Sequence, residues 1–118
     1  MSKLNKLGIK GEQLAEIFLK NNGFQVLFKN FRFQHKEIDI IFLDKDIVVF
    51  CEIKTRSSYL NGYPEDAVTK TKQKHIKWVA DYFLMQHPQY TKVRFDIVSI
   101  ILVGDKAKEI FHIKDAFY

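Results

Sequence analysis

Three charged side chains, Asp39, Glu52 and Lys54, stand within two apolar runs whose composition predicts buried strands. Charged residues are almost never fully buried unless they are paired. A two-residue turn at Lys45-Asp46 would place Asp39 opposite Glu52, with Lys54 on the same face of the hairpin. Opposed residues have Cβ atoms roughly 4.5–5.5 Å apart, a separation at which two carboxylates repel each other. A hard divalent cation such as Mg²⁺, which binds carboxylate oxygens, would offset that repulsion.

Lys54 lies next to this predicted cation site. A lysine in that position can orient or activate a water nucleophile, or stabilise developing negative charge. The alternative is a surface ion pair of Lys54 with Glu52 or Glu37 on a solvated strand. The surroundings favour the functional interpretation, because strands that are apolar on both faces are internal to a layered fold. One predicted face holds Ile38, Ile40, Phe42, Val49, Cys51 and Ile53, and the other holds Ile41, Leu43, Val48 and Phe50.

A long helix is predicted to begin at Pro64, where proline is tolerated best, and to continue to about Gln86. Lys72 falls within its apolar stripe and Gln73 at the edge of the stripe. An inward lysine needs an anionic partner, protein or phosphate, unless its long stem carries the ammonium group out to solvent. The sequence leaves both possibilities open. The stripe is Val68, Ile76, Val79, Ala80 and Phe83, and the opposite face carries Lys70, Lys74 and Lys77.

An earlier helix is predicted from about Ser2 to Asn22, where Asn22-Gly23 is typical of a helix end. Glu12 lies on the flank of its apolar face, from which it could reach the edge of a site on the sheet. For Glu12 considered alone, a solvated glutamate on the helix surface is the simpler interpretation. The apolar face consists of Leu7, Gly11, Leu14, Ala15 and Phe18.

Strands are predicted at about 24–33, 37–44 and 47–56 after the first helix, and at 93–103 and 107–113 after the second. The order helix, three strands, helix, two strands predicts an α/β domain of two or three layers with a mixed sheet. A length of 118 residues indicates one domain over residues 1–118.

The bulk composition limits the classes of function. A formal net charge of +5 is compatible with a polyanionic partner. The single cysteine, Cys51, excludes an intramolecular disulfide and a zinc site of several thiolates. No stretch has the apolar core of a signal peptide or the roughly 18 apolar residues of a membrane span, so we expect a cytoplasmic protein without a membrane partner.

Together these residues resemble a known pattern. The spacing from Asp39 to Glu52-Ile53-Lys54 resembles the Asp…Glu-X-Lys core of the restriction-endonuclease-like nucleases, and an upstream helix with a glutamate is similar to the Holliday-junction resolvases. The whole chain resembles the bacterial YraN-like family of predicted endonucleases more closely. Where that family usually has Gly before Glu-Ile-Asp, this chain has Lys36. The matching stretches are Gly8-x-x-Gly11-Glu12-x-x-Ala15, Asn30-Phe31-Arg32, Glu37-Ile38-Asp39-Ile40-Ile41, Phe50-Cys51-Glu52-Ile53-Lys54-Thr55-Arg56, Lys72-Gln73 and Arg94-Phe95-Asp96-Ile97-Val98.

The resemblance implies a restriction-endonuclease-like α/β fold, with a central mixed five-stranded sheet flanked by helices in the order α-β-β-β-α-β-β. It implies that Asp39 and Glu52 bind Mg²⁺ or Mn²⁺, with the Ile53 carbonyl as a further ligand. Lys54 would assist the attacking water.

The resemblance also extends the candidate site beyond the hairpin. It makes Glu12 an accessory acidic catalytic residue, above what the sequence alone favours for it. Gln73, a further catalytic candidate, and Lys72 would lie beside the site.

The implied function is a metal-dependent endonuclease acting on DNA, including branched or damaged DNA in repair or recombination. Junction-cutting enzymes present two active sites, which is compatible with a homodimer. The alternative is a non-catalytic nucleic-acid-binding or assembly module that retains the fold; a purely structural protein-binding module leaves the acidic cluster unexplained. The candidates for contacts to backbone phosphates are Arg32, Lys36, Arg56, Lys70, Lys72 and Lys74, although solubility is the simpler explanation for any one of them.

Overall fold

The computed structural model describes residues 5–57 and 68–118. The predicted order of elements is confirmed, and β3 has the predicted bounds. β5 is longer than predicted and continues to Phe117. The elements are α1 (Asn5–Asn21), β1 (Gln25–Phe33), β2 (Lys36–Asp44), β3 (Ile47–Arg56), α2 (Lys70–Gln86), β4 (Lys92–Val103) and β5 (Lys106–Phe117).

The second helix begins later than its sequence pattern predicts. Pro64 lies outside the described residues, whereas Val68 and Thr69 are described and are not helical. Thr69 is the N-cap, because its hydroxyl accepts a hydrogen bond from the Lys72 N–H at 3.2 Å. A threonine cap satisfies one of the unpaired amides of the first turn, which fixes the start of the helix at Lys70.

The five strands form one mixed sheet in the order β1-β2-β3-β4-β5. The β3–β4 pair is parallel, and α2 lies in the crossover that such a pair requires. The other three pairs are antiparallel. The predicted hairpin register is confirmed, since Asp44 pairs with Ile47 and Ile41 with Phe50 around the Lys45-Asp46 turn.

The two helices cover opposite faces of the sheet, which makes three layers. Ala15 and Leu19 of α1 pack against one face, in a core that includes Phe42 and Cys51. All five predicted stripe residues of the second helix, from Val68 to Phe83, are buried against the other face. Neither of the two helices in the described part of the chain is long and apolar enough to cross a membrane.

Two details of the predicted core are wrong. Leu7 is exposed rather than part of the apolar face of α1. Ile38 packs on the α2 side with Ile41, whereas Ile40 packs on the α1 side, so the alternation of β2 breaks at Asp39. On β1 the residue between the partners of Ile38 and Ile40 is Asn30, whose φ of 54° departs from the extended conformation of a strand.

Candidate metal centre

Asp39 and Glu52 meet where the pairing of β2 with β3 stops. The paired residues end at Ile40 and Cys51, so the next free amide, Ile53 N–H, donates to Asp39 Oδ2 at 2.8 Å. Glu52 is only 6% exposed. Its carboxyl group is close enough to that of Asp39 for each to shift the pKa of the other. The structure therefore brings the two predicted metal ligands together in a buried position.

Both carboxyl groups have pKa values above their ordinary ones. Burial raises the pKa of Glu52, and the Asp39 charge raises it further, against Lys72 and Lys54. Burial also raises the pKa of Asp39, although the hydrogen bond from Ile53 N–H acts in the opposite direction. Two carboxylates this close cannot both ionise cheaply, so the pair retains a proton that a cation would replace.

The contacts of Glu52 leave one oxygen unused. Glu52 Oε2 lies 3.6 Å from Lys72 Nζ, which gives the inward lysine of α2 a protein partner. Glu52 Oε1 is buried and has no hydrogen-bond partner within residues 5–57 and 68–118. Leaving such a group unsatisfied costs about 1–3 kcal/mol, and more when it is charged. An orphaned carboxylate oxygen beside a second carboxylate fits the donor set of a divalent cation.

A backbone carbonyl can complete that donor set. The N–H and C=O groups of one strand residue point to the same side, as in an antiparallel ladder. The Ile53 carbonyl therefore faces the Asp39 side, beyond the last pair of β2 and β3. No three His, Cys, Asp or Glu side chains cluster as metal ligands in the described residues. Mg²⁺ does not need three, because it keeps several waters and uses one or two carboxylates.

Lys54 is positioned beside the pair by the same strand. It is two residues beyond Glu52 on β3 and partly buried, so it lies on the same face of the sheet. Its charge is close enough to lower the pKa of Glu52. In the parallel register Lys54 is next to Ser99 of β4. The predicted grouping of two carboxylates with one lysine is thus present.

Glu12 of α1 lies in the same cavity as Asp39 and Glu52. A cavity of about 630 Å³ runs between α1 and the sheet, and Glu12, Asp39, Glu52 and Ile53 all line it. Burial, followed by the charges of Asp39 and Glu37, raises the pKa of Glu12 to about 7. A carboxyl group with such a pKa exchanges protons near neutral pH, unlike a solvated glutamate on a helix surface.

Gly11 allows α1 to approach β3 closely enough for Glu12 to line the cavity. Gly11 is buried, and a Cβ atom added to it would overlap the Thr55 side chain of β3 and come within 2.8 Å of its Cβ. Only a residue without a side chain permits this approach. Glu12, the next residue, is thereby held against the cavity.

The sequence reasoning missed Asn30. Its side chain hydrogen-bonds Glu12 and lowers the pKa of that carboxyl group. It also lines the cavity. Asparagine tolerates a positive φ better than most residues. An asparagine in the middle of the strand QVLFKNFRF, where its strand propensity is low, was the available signal.

Comparison with known proteins places the chain in a family. Residues 11–100 match the model described as Uncharacterised protein family UPF0102. The chain belongs to that family. A UPF0102 protein of Caldicellulosiruptor saccharolyticus is 43% identical over 95% of this chain and 97% of its own length. UPF0102 proteins of Natranaerobius thermophilus (41% identical, 93% of this chain and 95% of the relative) and Chloroherpeton thalassium (42%, 93% and 92%) are similar too.

The UPF0102 match is consistent with the YraN-like resemblance. The matched residues span all four side chains that the structure gathers at the cavity or beside it: Glu12, Asp39, Glu52 and Lys54.

Gln73 is not brought to the acidic cavity of this UPF0102 chain. Its side-chain amide donates to the Val68 carbonyl at 3.2 Å, which secures the start of α2. Gln73 lines a different depression, together with Lys70, Lys74, Lys77 and the C-terminal Ala116 to Tyr118. Its catalytic role stays a prediction that the geometry does not support.

The predicted phosphate-binding residues are divided among several surfaces. Arg32 lines the acidic cavity and pairs with Glu37 at 3.2 Å. Lys72 pairs with Glu52, whereas Lys70 and Lys74 are exposed at the start of α2. Lys36 lies over the ring of Trp78, and Arg56 ends β3. Of these six residues, Lys72 contacts the carboxyl pair directly and Arg32 lines the cavity beside it.

Proposed function

We propose that this UPF0102 chain is a metal-dependent endonuclease that hydrolyses phosphodiester bonds in DNA. The observation that carries the proposal is the orphaned, buried Glu52 Oε1 beside Asp39. Lys54 on the same face adds the third member of an Asp…Glu-X-Lys group. The element order and the mixed five-stranded sheet agree with a restriction-endonuclease-like fold.

Each residue of the site has a separate role in the proposed hydrolysis. Asp39, Glu52 and the Ile53 carbonyl would hold Mg²⁺ or Mn²⁺. When bound, such an ion would supply polarisation of the scissile phosphate and a lower pKa for a water nucleophile. Lys54 orients that water and stabilises negative charge that develops on the phosphate oxygens. Glu12, with a pKa of about 7, accepts or returns a proton at neutral pH.

The net charge of +5 supports a polyanionic substrate. Arg32 at the cavity can contact a backbone phosphate without reading the base sequence. In its narrower form, the proposal is that the substrate is branched or damaged DNA, which the protein cuts in the cytoplasm during repair or recombination. It would act as a single chain or as a homodimer.

The test is a cleavage assay on linear, nicked, flapped and four-way DNA, with Mg²⁺ or Mn²⁺ added. We expect Asp39→Asn and Glu52→Gln to lower the rate by at least about 100-fold, since even outer-sphere partners of a metal are worth about 10–100-fold. DNA affinity measured in EDTA should change little, because neither carboxyl group is needed to attract phosphates.

Glu16→Gln is the matched control. Glu16 also lines the cavity from α1, but its carboxylate is paired with Lys20 at 2.8 Å and with Lys29 at 3.0 Å. Its substitution should leave cleavage unchanged. A wild type that cuts none of the four substrates with either metal would refute the proposal, as would cleavage that survives both ligand substitutions.

One contact favours a second candidate, a non-catalytic DNA-binding module. Lys72 already supplies a positive charge to Glu52 without a metal. In that case all variants bind DNA, none cleaves it, and Mg²⁺ does not change the thermal stability of the wild type.

A further inference from the structure

Aromatic rings are stacked where α2 crosses the end of the β1–β2 hairpin. Phe33 stacks on Tyr82 with ring centroids 3.8 Å apart and an angle of 9° between the planes. Trp78 lies against Phe33 at 4.8 Å, and Lys36 Nζ is 5.3 Å from the centre of the Trp78 ring. We call Phe33, Trp78, Tyr82 and Lys36 the aromatic platform.

The platform is rigid but not covered. Tyr82 is fixed on one side by Phe33 and at its hydroxyl group by Gln86 Nε2, 2.9 Å away. Trp78 nevertheless remains 42% exposed. The core of this face is formed by other residues of α2, namely Ile76, Val79, Ala80 and Phe83. The exposed part of Trp78 is therefore available to a partner.

The charges around the platform fit a polyanion. Lys36 holds its ammonium group over the ring, a contact that a charge-assisted hydrogen bond from the ammonium to a phosphate would replace. Lys74 is one helical turn before Trp78 and is exposed, so it lies on the same side of α2. Asp81, three residues after Trp78, is the acidic residue of α2 on that side. The lysines outnumber it.

We propose that Trp78 stacks on an unpaired base of single-stranded DNA while Lys36 contacts the adjacent phosphate. Aromatic side chains bind single strands in this way because every base presents a π face, which a duplex keeps stacked inside. The inference deepens the proposed nuclease function and rests on it for the choice of DNA. Lys36 is three residues before Asp39 on β2, about 10 Å along the strand. The platform lies on the α2 side of the sheet and the acidic cavity on the α1 side, so the platform would hold a single-stranded segment that extends away from the cleaved bond.

The experiment uses Trp78 itself as the probe, since it is the only tryptophan of the 118 residues. The wild type is titrated in EDTA with a short oligothymidylate and with a duplex of the same length. We expect saturable quenching of the tryptophan fluorescence by the single strand, reversed by added salt, and much weaker quenching by the duplex.

Affinity is measured in parallel from the anisotropy of a labelled oligothymidylate. Trp78→Ala should weaken binding about 5- to 150-fold, the range that one base stack provides, and Trp78→Phe should restore part of it. Lys36→Gln should reduce the salt slope by about one. Phe111, equally exposed at 42% on β5 at the far edge of the sheet, is the matched control, and Phe111→Ala should keep full affinity.

The outcomes separate this inference from the proposed function. Metal-dependent cleavage without quenching by single strands overturns the platform as a base-binding site and leaves the nuclease intact. Equal loss of affinity in Trp78→Ala and Phe111→Ala also overturns it. So does a concentration-dependent change of the tryptophan emission without DNA, with a dimer in sedimentation, because a second copy would then cover the platform. Quenching without cleavage by any metal supports the platform and counts against the nuclease.

Discussion

Two groups of buried carboxylates lie on neighbouring strands, and they are satisfied in opposite ways. Asp96 of β4 is fully buried, next to Cys51 of β3 in the parallel register. It accepts two hydrogen bonds from Arg94, at 2.8 and 2.9 Å, one from His112 at 2.7 Å and one from the Asp115 N–H at 3.0 Å. Burial alone would raise the pKa of Asp96, but these hydrogen bonds lower it below its usual value.

Asp39 and Glu52 have far fewer compensating contacts. Asp39 accepts from one backbone amide, Glu52 has one lysine at 3.6 Å, and each has the other as a repelling neighbour. Their pKa values are raised, in contrast to that of Asp96. This sheet can fully satisfy a buried carboxylate, and does so one strand away. The shortage of hydrogen bonds at Asp39 and Glu52 is therefore local to this pair, as the proposed cation site requires.

The largest predicted effect is a difference in stability between two isosteric substitutions. Asp96→Asn should lower the free energy of unfolding by about 3–5 kcal/mol, because it removes the buried negative charge that Arg94 and His112 both contact and leaves Asp44 as the partner of Arg94. Glu52→Gln should be nearly neutral in EDTA, because the pKa of Glu52, raised to about 8, keeps this carboxyl group mostly protonated at pH 7.5, and a glutamine amide can likewise donate to Asp39. Urea unfolding at pH 7.5 measures both. An equal loss in the two variants would show that Glu52 is a structural charge like Asp96.

The next effect is stabilisation by metal. Mg²⁺ at 100 times its dissociation constant should add about 2.7 kcal/mol to the wild type by mass action. The gain should shrink as the pH falls from 8 to 5, because protons occupy the raised-pKa carboxyl groups that the ion needs ionised. Thermal unfolding with and without metal tests this. Asp96→Asn should keep the stabilisation by Mg²⁺, and Glu52→Gln should lose it. The reverse pattern would show that the metal does not bind at Asp39 and Glu52.

A third prediction concerns the close approach of α1 to β3, which brings Glu12 to the cavity that Asp39 and Glu52 line. Gly11→Ala forces a Cβ atom into Thr55 and should cost about 1–3 kcal/mol of unfolding free energy. Gly8→Ala is the matched control in the same helix, since a Cβ atom there meets nothing within 4 Å. It should stabilise by up to about 1 kcal/mol through helix propensity. Equal effects of the two substitutions would contradict the close approach.

The hairpin was predictable from the sequence because its register depends on local information. Two apolar runs separated by Lys45-Asp46 fix which residues face each other, and the structure has that register. The stripe of α2 was predictable for the same reason, since a period of 3.6 residues selects its buried side chains. The position of Lys72 in that stripe indicated an inward lysine, but not which anion it contacts.

The contrast between the two acidic groups was not predictable, because it depends on contacts between distant segments. Asp96 looks like one more charge in an apolar strand until β5 brings His112 and the Asp115 amide to it. Asn30 acquires its role only when β1 lies opposite Asp39 under α1. Arg94, two residues before Asp96, was a local signal of an ion pair, whereas His112 and the Asp115 amide are 16 and 19 residues away and no local pattern encodes them.

The smallest effect is the pH dependence that Glu12 contributes. Its pKa is raised from 4.5 to about 7, so the folded state holds the proton more tightly than the unfolded state. The stability that this contributes is complete below about pH 4.5 and is lost as the pH rises through 7. Replacing Glu12 by Gln should therefore stabilise the protein progressively relative to wild type from pH 5 to 8, by less than about 1 kcal/mol because solvent screens a half-buried group.

Urea unfolding in EDTA at several pH values between 5 and 8 measures the Glu12 effect against Glu16→Gln. Ion pairs with Lys20 and Lys29 lower the pKa of Glu16, so it is ionised throughout this range in both the folded and the unfolded state. Its difference from wild type should stay constant with pH. If both differences are flat, Glu12 is a solvated glutamate and does not share the electrostatic field of Asp39. If only the Glu12→Gln difference changes with pH, Glu12 is a third acid that shares the electrostatic field of Asp39 and Glu52. Asp96, whose pKa is lowered, stays ionised over the same pH range.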